Sequence, residues 1–162
     1  MNDLSNQTED FSDIRDAVRS LCQGYPGEYW REKDRKREYP TEIVQALTDS
    51  GFLADLIPEI YGGSELGIQE AAAILEEIHK SGCNGAACHA QMYTMGTVLR
   101  HGTEIQKRAY LPKIASGELR LQAFGVTEPT SGTDTTNLRT VARKTGETYV
   151  VNGQKIWTSR AE

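Results

Sequence analysis

No stretch of the 162-residue sequence approaches the roughly 18–20 consecutive apolar residues that cross a bilayer, so a membrane span is not expected. The opening Met1-Asn2-Asp3-Leu4 is acidic and polar where a secretory signal needs a basic stretch and then an apolar one. No export signal is read, and the expected compartment is the cytoplasm. A basic surplus is missing too: the formal net charge is -5, whereas phosphate binding requires excess Lys and Arg to release counterions, so nucleic acid is not an expected partner. Cysteine is scarce. Cys22, Cys83 and Cys88 are an odd set in a chain without an export signal, and they read as reduced, buried thiols rather than a disulfide framework. Cys83, Cys88 and His89 offer neither a C-x-x-C pair nor a fourth ligand, so no metal is expected. Internal repeats and low-complexity segments are absent.

What remains is a composition of 38% hydrophobic and 25% charged residues, typical of a packed globular chain. At this length folding removes about two-thirds of the unfolded surface from water, enough for one core. The charge run Arg31 to Glu38 alternates in sign and suits a solvated surface segment with weak ion pairs.

Apolar residues recur at helical spacing in several places. Phe11, Ile14, Val18 and Leu21 predict a helix from Phe11 to about Cys22, broken by Gly24-Tyr25-Pro26-Gly27. Pro40 to Ser50 predicts a second, with Ile43, Val44 and Leu47 inside and Gly51 as its stop. Ile57 to Gly63 reads as a loop. Ile68, Ala71, Ala72, Leu75 and Ile78 carry the clearest 3.6-residue period, closed by Ser81-Gly82. Asn84 to about Arg100 follows, with small residues Gly85, Ala86, Ala87, Ala90 and Gly96 that permit close approach of a helix or a ligand. Thr103 and Gln106 have capping-box spacing and start a short helix, and Pro112 is expected to open one more turn.

After Gly117 the period falls from about 3.6 to about 2 and β-branched and aromatic residues dominate. Leu119 to Val126 predicts a first strand and Thr140 to Lys144 a second. Tyr149 to Val151 is expected to pair across Asn152-Gly153 with Lys155 to Thr158, because Asn-Gly is the strongest short hairpin signal. The expected fold class is therefore α+β and multidomain: an all-α amino-terminal domain over 1–120 and a β domain beginning at 121–162. A sheet this small would leave an edge and an apolar face uncovered, so the sequence is expected to stop inside its β domain.

Two stretches carry the chemistry. Phe124 to Asp134 runs from a strand end into a turn of small residues and hydroxyls, which suits a ligand with a row of acceptors and equally suits an ordinary Asx or ST turn. Asn152 to Ser159 contains Trp157, either a core residue or a flat platform for a planar ring.

In this order, Thr127-Glu128-Pro129-Thr130-Ser131-Gly132-Thr133-Asp134 and Asn152-Gly153-Gln154-Lys155-Ile156-Trp157-Thr158-Ser159 resemble the paired signature of the acyl-CoA dehydrogenase family. Ile57-Pro58-Glu59-Ile60-Tyr61-Gly62-Gly63 and Gly102-Thr103-Glu104-Ile105-Gln106-Lys107 are similar to two of its upstream segments. The resemblance implies a helical domain, a central β-barrel domain that is truncated here, and a later helical bundle. It implies FAD as cofactor, with Phe124, Val126, Thr127, Gly132, Thr133, Trp157, Thr158 and Ser159 at the flavin. Thr133, where the family usually has Ser, would also touch the acyl-CoA substrate. Trp157 would pack on the ring, and Ser159, replacing a family Thr, would offer a hydroxyl to flavin N5, where arriving hydride builds negative charge. Ser lacks the methyl that restricts its rotamer, which loosens that geometry.

The implied reaction removes an α-proton and a β-hydride from an acyl-CoA thioester. Its catalytic base, usually Glu, is expected beyond Glu162, so the isolated chain is expected to be inactive. An electron-transferring flavoprotein and, at full length, a homo-oligomer are the implied partners. Two other readings stay open: a flavin monooxygenase or nitroalkane-oxidase-like enzyme on the same fold, and a non-catalytic helical interaction module.

Overall fold

The computed structural model describes residues 11–159. The expected domains also reach residues 1–10 and 160–162, which lie outside the described residues. Backbone contacts divide the chain into a helical unit, Met1–Leu121, and a β-containing unit, Gln122–Glu162.

The helical unit holds α1 (Ser12–Cys22), α2 (Gly27–Lys36), α3 (Thr41–Asp49), α4 (Ile68–Lys80), α5 (Ala86–His101) and α6 (Glu104–Ala115). Val18, Ile43, Val44, Leu47, Ile57, Ile74, Ile78, Met95, Leu111 and Ile114 form its core. No helix among the described residues is long and apolar enough to cross a membrane. The predicted stripe of α3 is the buried one. At α6 the capping box forms as its spacing predicts: Thr103 Oγ1 accepts the Gln106 N–H (3.2 Å) and Gln106 Oε1 accepts the Thr103 N–H (2.9 Å).

One helix is unannounced in the sequence, and two expectations for this unit are corrected. The charge run lies mostly in a helix, α2, which no apolar period announced because α2 buries no residue fully. Ion pairs one turn apart, Arg31 with Glu28 and Lys36 with Glu32, line its surface, each worth a few tenths of a kcal/mol at most. Tyr29 and Trp30 pack against the core, and the Tyr29 ring meets Tyr25 and Trp30 edge-on, with ring centroids 5.1 and 5.2 Å apart. Pro112 does not open a new turn. It sits inside the last turns of α6, where the buried neighbours Leu111 and Ile114 hold the helix to the core despite one missing N–H. The buried stripe of α4 is rotated from the expected one: Ala71, Ile74, Glu77 and Ile78 face inward while Ile68 and Ala72 are exposed.

Glu77 explains that rotation. Its carboxylate is buried and takes Arg19 Nε at 2.9 Å, with Arg15 Nη1 3.6 Å away, while Arg15 also meets Glu76 at 2.7 Å. A buried carboxylate without a partner is costly, so α4 turns Glu77 toward the arginines of α1, and α1 packs along α4.

In the second unit β1 (Val141–Thr145) and β2 (Thr148–Asn152) pair antiparallel, with Val141 opposite Asn152 and Thr145 opposite Thr148. The turn is Gly146-Glu147, with Gly146 at φ +61° in the first central position, where a type II′ turn places glycine. This corrects the Asn152-Gly153 hairpin: neither residue adopts positive φ. Gly153 serves close approach instead, because a Cβ there would stand 2.2 Å from Thr140 Oγ1. Leu119 to Val126 is not a strand, since no second backbone edge meets it among the described residues.

Asp55, in the loop after α3, is 0% exposed. Its Oδ1 accepts the Leu56 N–H at 2.9 Å, and Oδ2 has no partner among the described residues. Burial pushes its pKa from 3.8 up to about 6. The folded chain therefore holds the proton more tightly than the unfolded one, and stability falls as pH rises from about 3.8 through about 6. At about 1.4 kcal/mol per unit, the fall is on the order of 3 kcal/mol. Urea denaturation at pH 4 and pH 7 should show Asp55→Asn, which keeps the acceptor for Leu56, losing that component of the pH dependence. A variant as pH-sensitive as the parent would contradict the assignment.

Candidate cofactor site

Among described residues 122–159, the buried ones are Gln122, Glu128 and Ser131, all polar. With no apolar core to organise it, the unit is held by hydrogen bonds that converge on one carboxylate. Glu128 is 4% exposed. It accepts the Arg139 N–H at 2.6 Å, the Thr140 N–H at 3.0 Å and the Lys155 ammonium at 2.8 Å. The Lys155 ammonium is the main cause that holds its pKa down at about 2, with Thr140 and the Arg139 amide adding.

Lys155 Nζ also donates to the Val126 carbonyl at 3.0 Å, and the Ile156 N–H donates to the Thr127 carbonyl at 2.9 Å. The two stretches singled out in the sequence thus run side by side, 125–128 along 155–158. A Cβ on Gly125 would lie 3.5 Å from Lys155 Cγ and 3.6 Å from Thr158 Oγ1. Their adjacency comes from this clamp and not from the expected hairpin. Neither Glu128 nor Lys155 is singled out by the sequence. The available signal was one acid and one lysine on the two chemistry-bearing stretches, opposite in charge.

The turn after Glu128 is tied to itself. Glu128 and Ser131 exchange backbone hydrogen bonds of 3.0 and 3.1 Å around Pro129-Thr130, with proline at the turn position that its fixed φ suits. Ser131 Oγ donates to the Asp134 carbonyl. Asp134 accepts from the Thr136 hydroxyl and amide and from Asn137 Nδ2, and these contacts, Thr136 first, lower its pKa. Both readings of this stretch have physical content: its acid and Ser131 serve the turn, while the Thr133 hydroxyl is exposed and unbonded among the described residues.

Of the other sequence-predicted residues, Phe124 is half exposed, Val126, Thr127 and Thr158 are partly buried beside the clamp, and Gly132 and Ser159 are exposed. Trp157 is 86% exposed and sits at φ +60°, a left-handed conformation uncommon outside glycine. Among the described residues Trp157 and Ser159 make no hydrogen bond to the 127–134 turn. An indole held almost wholly in solvent, next to two segments rich in hydroxyls and backbone amides, suits a planar polar ring such as a flavin. No group of three or more His, Cys, Asp or Glu able to hold a metal ion occurs among the described residues. In the helical unit the two upstream motif segments meet: Tyr61 OH donates to Glu104 Oε2 at 3.1 Å.

A helical unit feeding a β unit with two such facing stretches is the arrangement of a particular enzyme class. The family model for the acyl-CoA dehydrogenase N-terminal domain matches residues 8–118, and that for the acyl-CoA dehydrogenase middle domain matches residues 123–162. The acyl-CoA dehydrogenase FadE12 of Mycobacterium tuberculosis is 34% identical over 154 residues, covering 94% of this chain and 39% of its own length. The mitochondrial isovaleryl-CoA dehydrogenase of Bos taurus is 34% identical over 159 residues, covering 95% and 37%. The crystal structure of an acyl-CoA dehydrogenase from Geobacillus kaustophilus superposes with a TM-score of 0.79 at 28% identity, covering 96% of this chain and 40% of that one. This chain belongs to the acyl-CoA dehydrogenase family, and it spans less than half the length of these relatives.

The clamp yields a test. Glu128→Ala removes the shared acceptor, and native-state hydrogen exchange at the Arg139 and Thr140 amides should accelerate roughly tenfold or more. Because the folded pKa is depressed, the contribution of Glu128 is complete above about 4.5 and is lost as pH falls toward about 2. Protection of those two amides unchanged in the variant would show that the carboxylate does not organise the unit.

Proposed function

We propose that the complete protein is a flavin-dependent acyl-CoA dehydrogenase that introduces an α,β double bond into an acyl-CoA thioester. Residues 1–120 form its amino-terminal helical domain, and 121–162 open the central β-barrel domain. The observation that supports this reading most is the exposed Trp157 indole beside the paired 125–128 and 155–158 segments.

FAD is the cofactor in this reading, and it supplies the acceptor for the substrate's β-hydride. Trp157 offers an uncovered aromatic face for the ring to stack on. Phe124, Val126, Thr127, Gly132 and Thr158 would hold the cofactor from the side of the 124–133 segment and its neighbour, through backbone amides and the Thr127 and Thr158 hydroxyls. Ser159 would supply a hydroxyl donor that stabilises negative charge on the reduced ring. Thr133 would serve both cofactor and thioester.

The base that takes the α-proton is not Glu128. A carboxylate held at a pKa of about 2 by Lys155 and two amides is a poor proton acceptor near neutral pH, and it faces the clamp. Asp134 is likewise engaged by Thr136 and Asn137. The family resemblance implies that the base belongs to a part of the protein outside residues 1–162. An electron-transferring flavoprotein as oxidant and a homo-oligomeric assembly complete it.

Anaerobic addition of acyl-CoA esters of graded chain length to the purified full-length gene product should bleach the flavin absorbance. Trp157→Ala should weaken FAD retention by about tenfold, the worth of one aromatic stacking contact. Flavin that no acyl-CoA reduces, whatever its chain length, would sink the reading.

A further inference from the structure

Two of the three cysteines form a buried pair that the proposed chemistry does not use. Cys22 closes α1, and Cys83 lies in the Ser81-to-Gly85 connection between α4 and α5, 61 residues further on. Both are nearly enclosed, at 3% and 5% exposure. Cys83 Sγ stands 3.9 Å from the Cys22 carbonyl oxygen and 3.7 Å from that of Tyr25. The thiol is thus seated on the end of α1, against the backbone of Cys22 itself. Cys88 is separate: it is fully buried in α5, next to the Asp55 carboxylate.

We propose that Cys22 and Cys83 are a reversible oxidation site, at which a hydroperoxide converts the two thiols into one intramolecular disulfide that pins the end of α1 to the α4–α5 connection. The peroxide O–O bond breaks as one sulfur is oxidised to a sulfenic acid, releasing one water or alcohol. The second thiol then attacks that sulfur, the S–S bond forms and a water leaves. Two thiols are oxidised by two electrons in all, and the peroxide is reduced by two. A thiol reductant reverses the bridge by exchange.

Two features favour this pair, and a third sets its rate. Cys83 Sγ already stands 3.9 Å from the Cys22 backbone, so the two side chains start close together, which cysteines distant in the fold would not. The connection that carries Cys83 turns through Gly82 at φ +78°, with exposed residues on both sides of the cysteine, so local opening there admits a small oxidant more easily than the helix interior does. Burial, with the neighbouring Cys83 thiol adding, pushes the Cys22 thiol up to about 12. Thiolate is therefore scarce and the reaction is slow, suited to sustained peroxide and not to brief exposure. Cys88 is raised further by burial and by Asp55 and has no thiol in contact, so it stays reduced.

The test treats the folded 162-residue chain with hydrogen peroxide, blocks remaining thiols with N-ethylmaleimide after denaturation, and maps peptides without reduction. The expected product is a monomer with a Cys22–Cys83 linkage, two hydrogens lighter, and an alkylated Cys88. Its melting temperature should rise by roughly 5–10 °C, as closing a long loop predicts, and dithiothreitol should return it to the starting value. Cys88→Ser should keep the linkage, and Cys83→Ser should abolish both the linkage and the shift. Should Cys83→Ser fail to fold, the parent and Cys88→Ser maps decide alone. Recovery of Cys22 and Cys83 as thiols or sulfinic acids, a bridge to Cys88, or a disulfide-linked dimer would each overturn the proposal.

Discussion

The β-containing unit depends on one carboxylate. Its described residues bury no apolar side chain, so the hydrophobic effect, which dominates folding elsewhere, does little to arrange them. Glu128 replaces it. One side chain collects an amide from each of Arg139 and Thr140 and the ammonium of Lys155, which brings three separated stretches of chain to one point. Charge-assisted hydrogen bonds are short and directional, and direction is what a site needs when packing does not supply it. The segments that carry Thr127 and Thr158 lie side by side because their neighbours, Glu128 and Lys155, are bonded to each other. The acid in the middle of the signature thus has an architectural role, and its depressed pKa follows from that role.

The helical unit rests on a different principle. Val18, Ile57, Ile74, Ile78, Met95 and Leu111 are sealed from water, and polar groups enter only with partners. Glu77 meets Arg19 and Arg15, Gln91 donates to the Leu53 carbonyl at 2.8 Å, and Thr94 bonds back along its own helix. Asp55 Oδ2 and Ser81 Oγ are exceptions among the described residues, each buried without a hydrogen-bond partner. Buried polar groups without partners are uncommon because each forfeits its hydration, and the buried Asp55 carboxyl makes the unit's stability sensitive to pH up to about 6.

Reading the sequence succeeded where a local rule sufficed. The capping box of α6 needs only residues three apart, and the inner face of α3 needs only its own period. The two chemistry-bearing stretches were legible as motifs because their order and spacing are themselves linear. It failed where a partner distant in sequence decided the outcome. Helix α2 has no apolar stripe, and Tyr29 and Trp30 acquire meaning only once the core beside them exists. The face of α4 turned to satisfy Glu77, an acid with no sequence neighbour to mark it as buried. Gly146 took the hairpin from Asn152-Gly153 although Asn-Gly is the stronger turn signal, because the ladder from Val141 to Asn152 leaves Gly153 against Thr140, where only a glycine fits.

The sequence by itself determined the α+β composition, the change of period after Gly117, the helix starts set by caps, and the family to which the chain belongs, all properties of residues near one another along the chain. Only the tertiary structure decided which acids are buried, which cysteine packs on the end of α1, and that Glu128 and Lys155 join the two chemistry-bearing stretches. The reason is that burial and ion pairing are set by distances in space. A carboxylate reads the same in sequence whether it meets water, an arginine on another helix, or nothing at all.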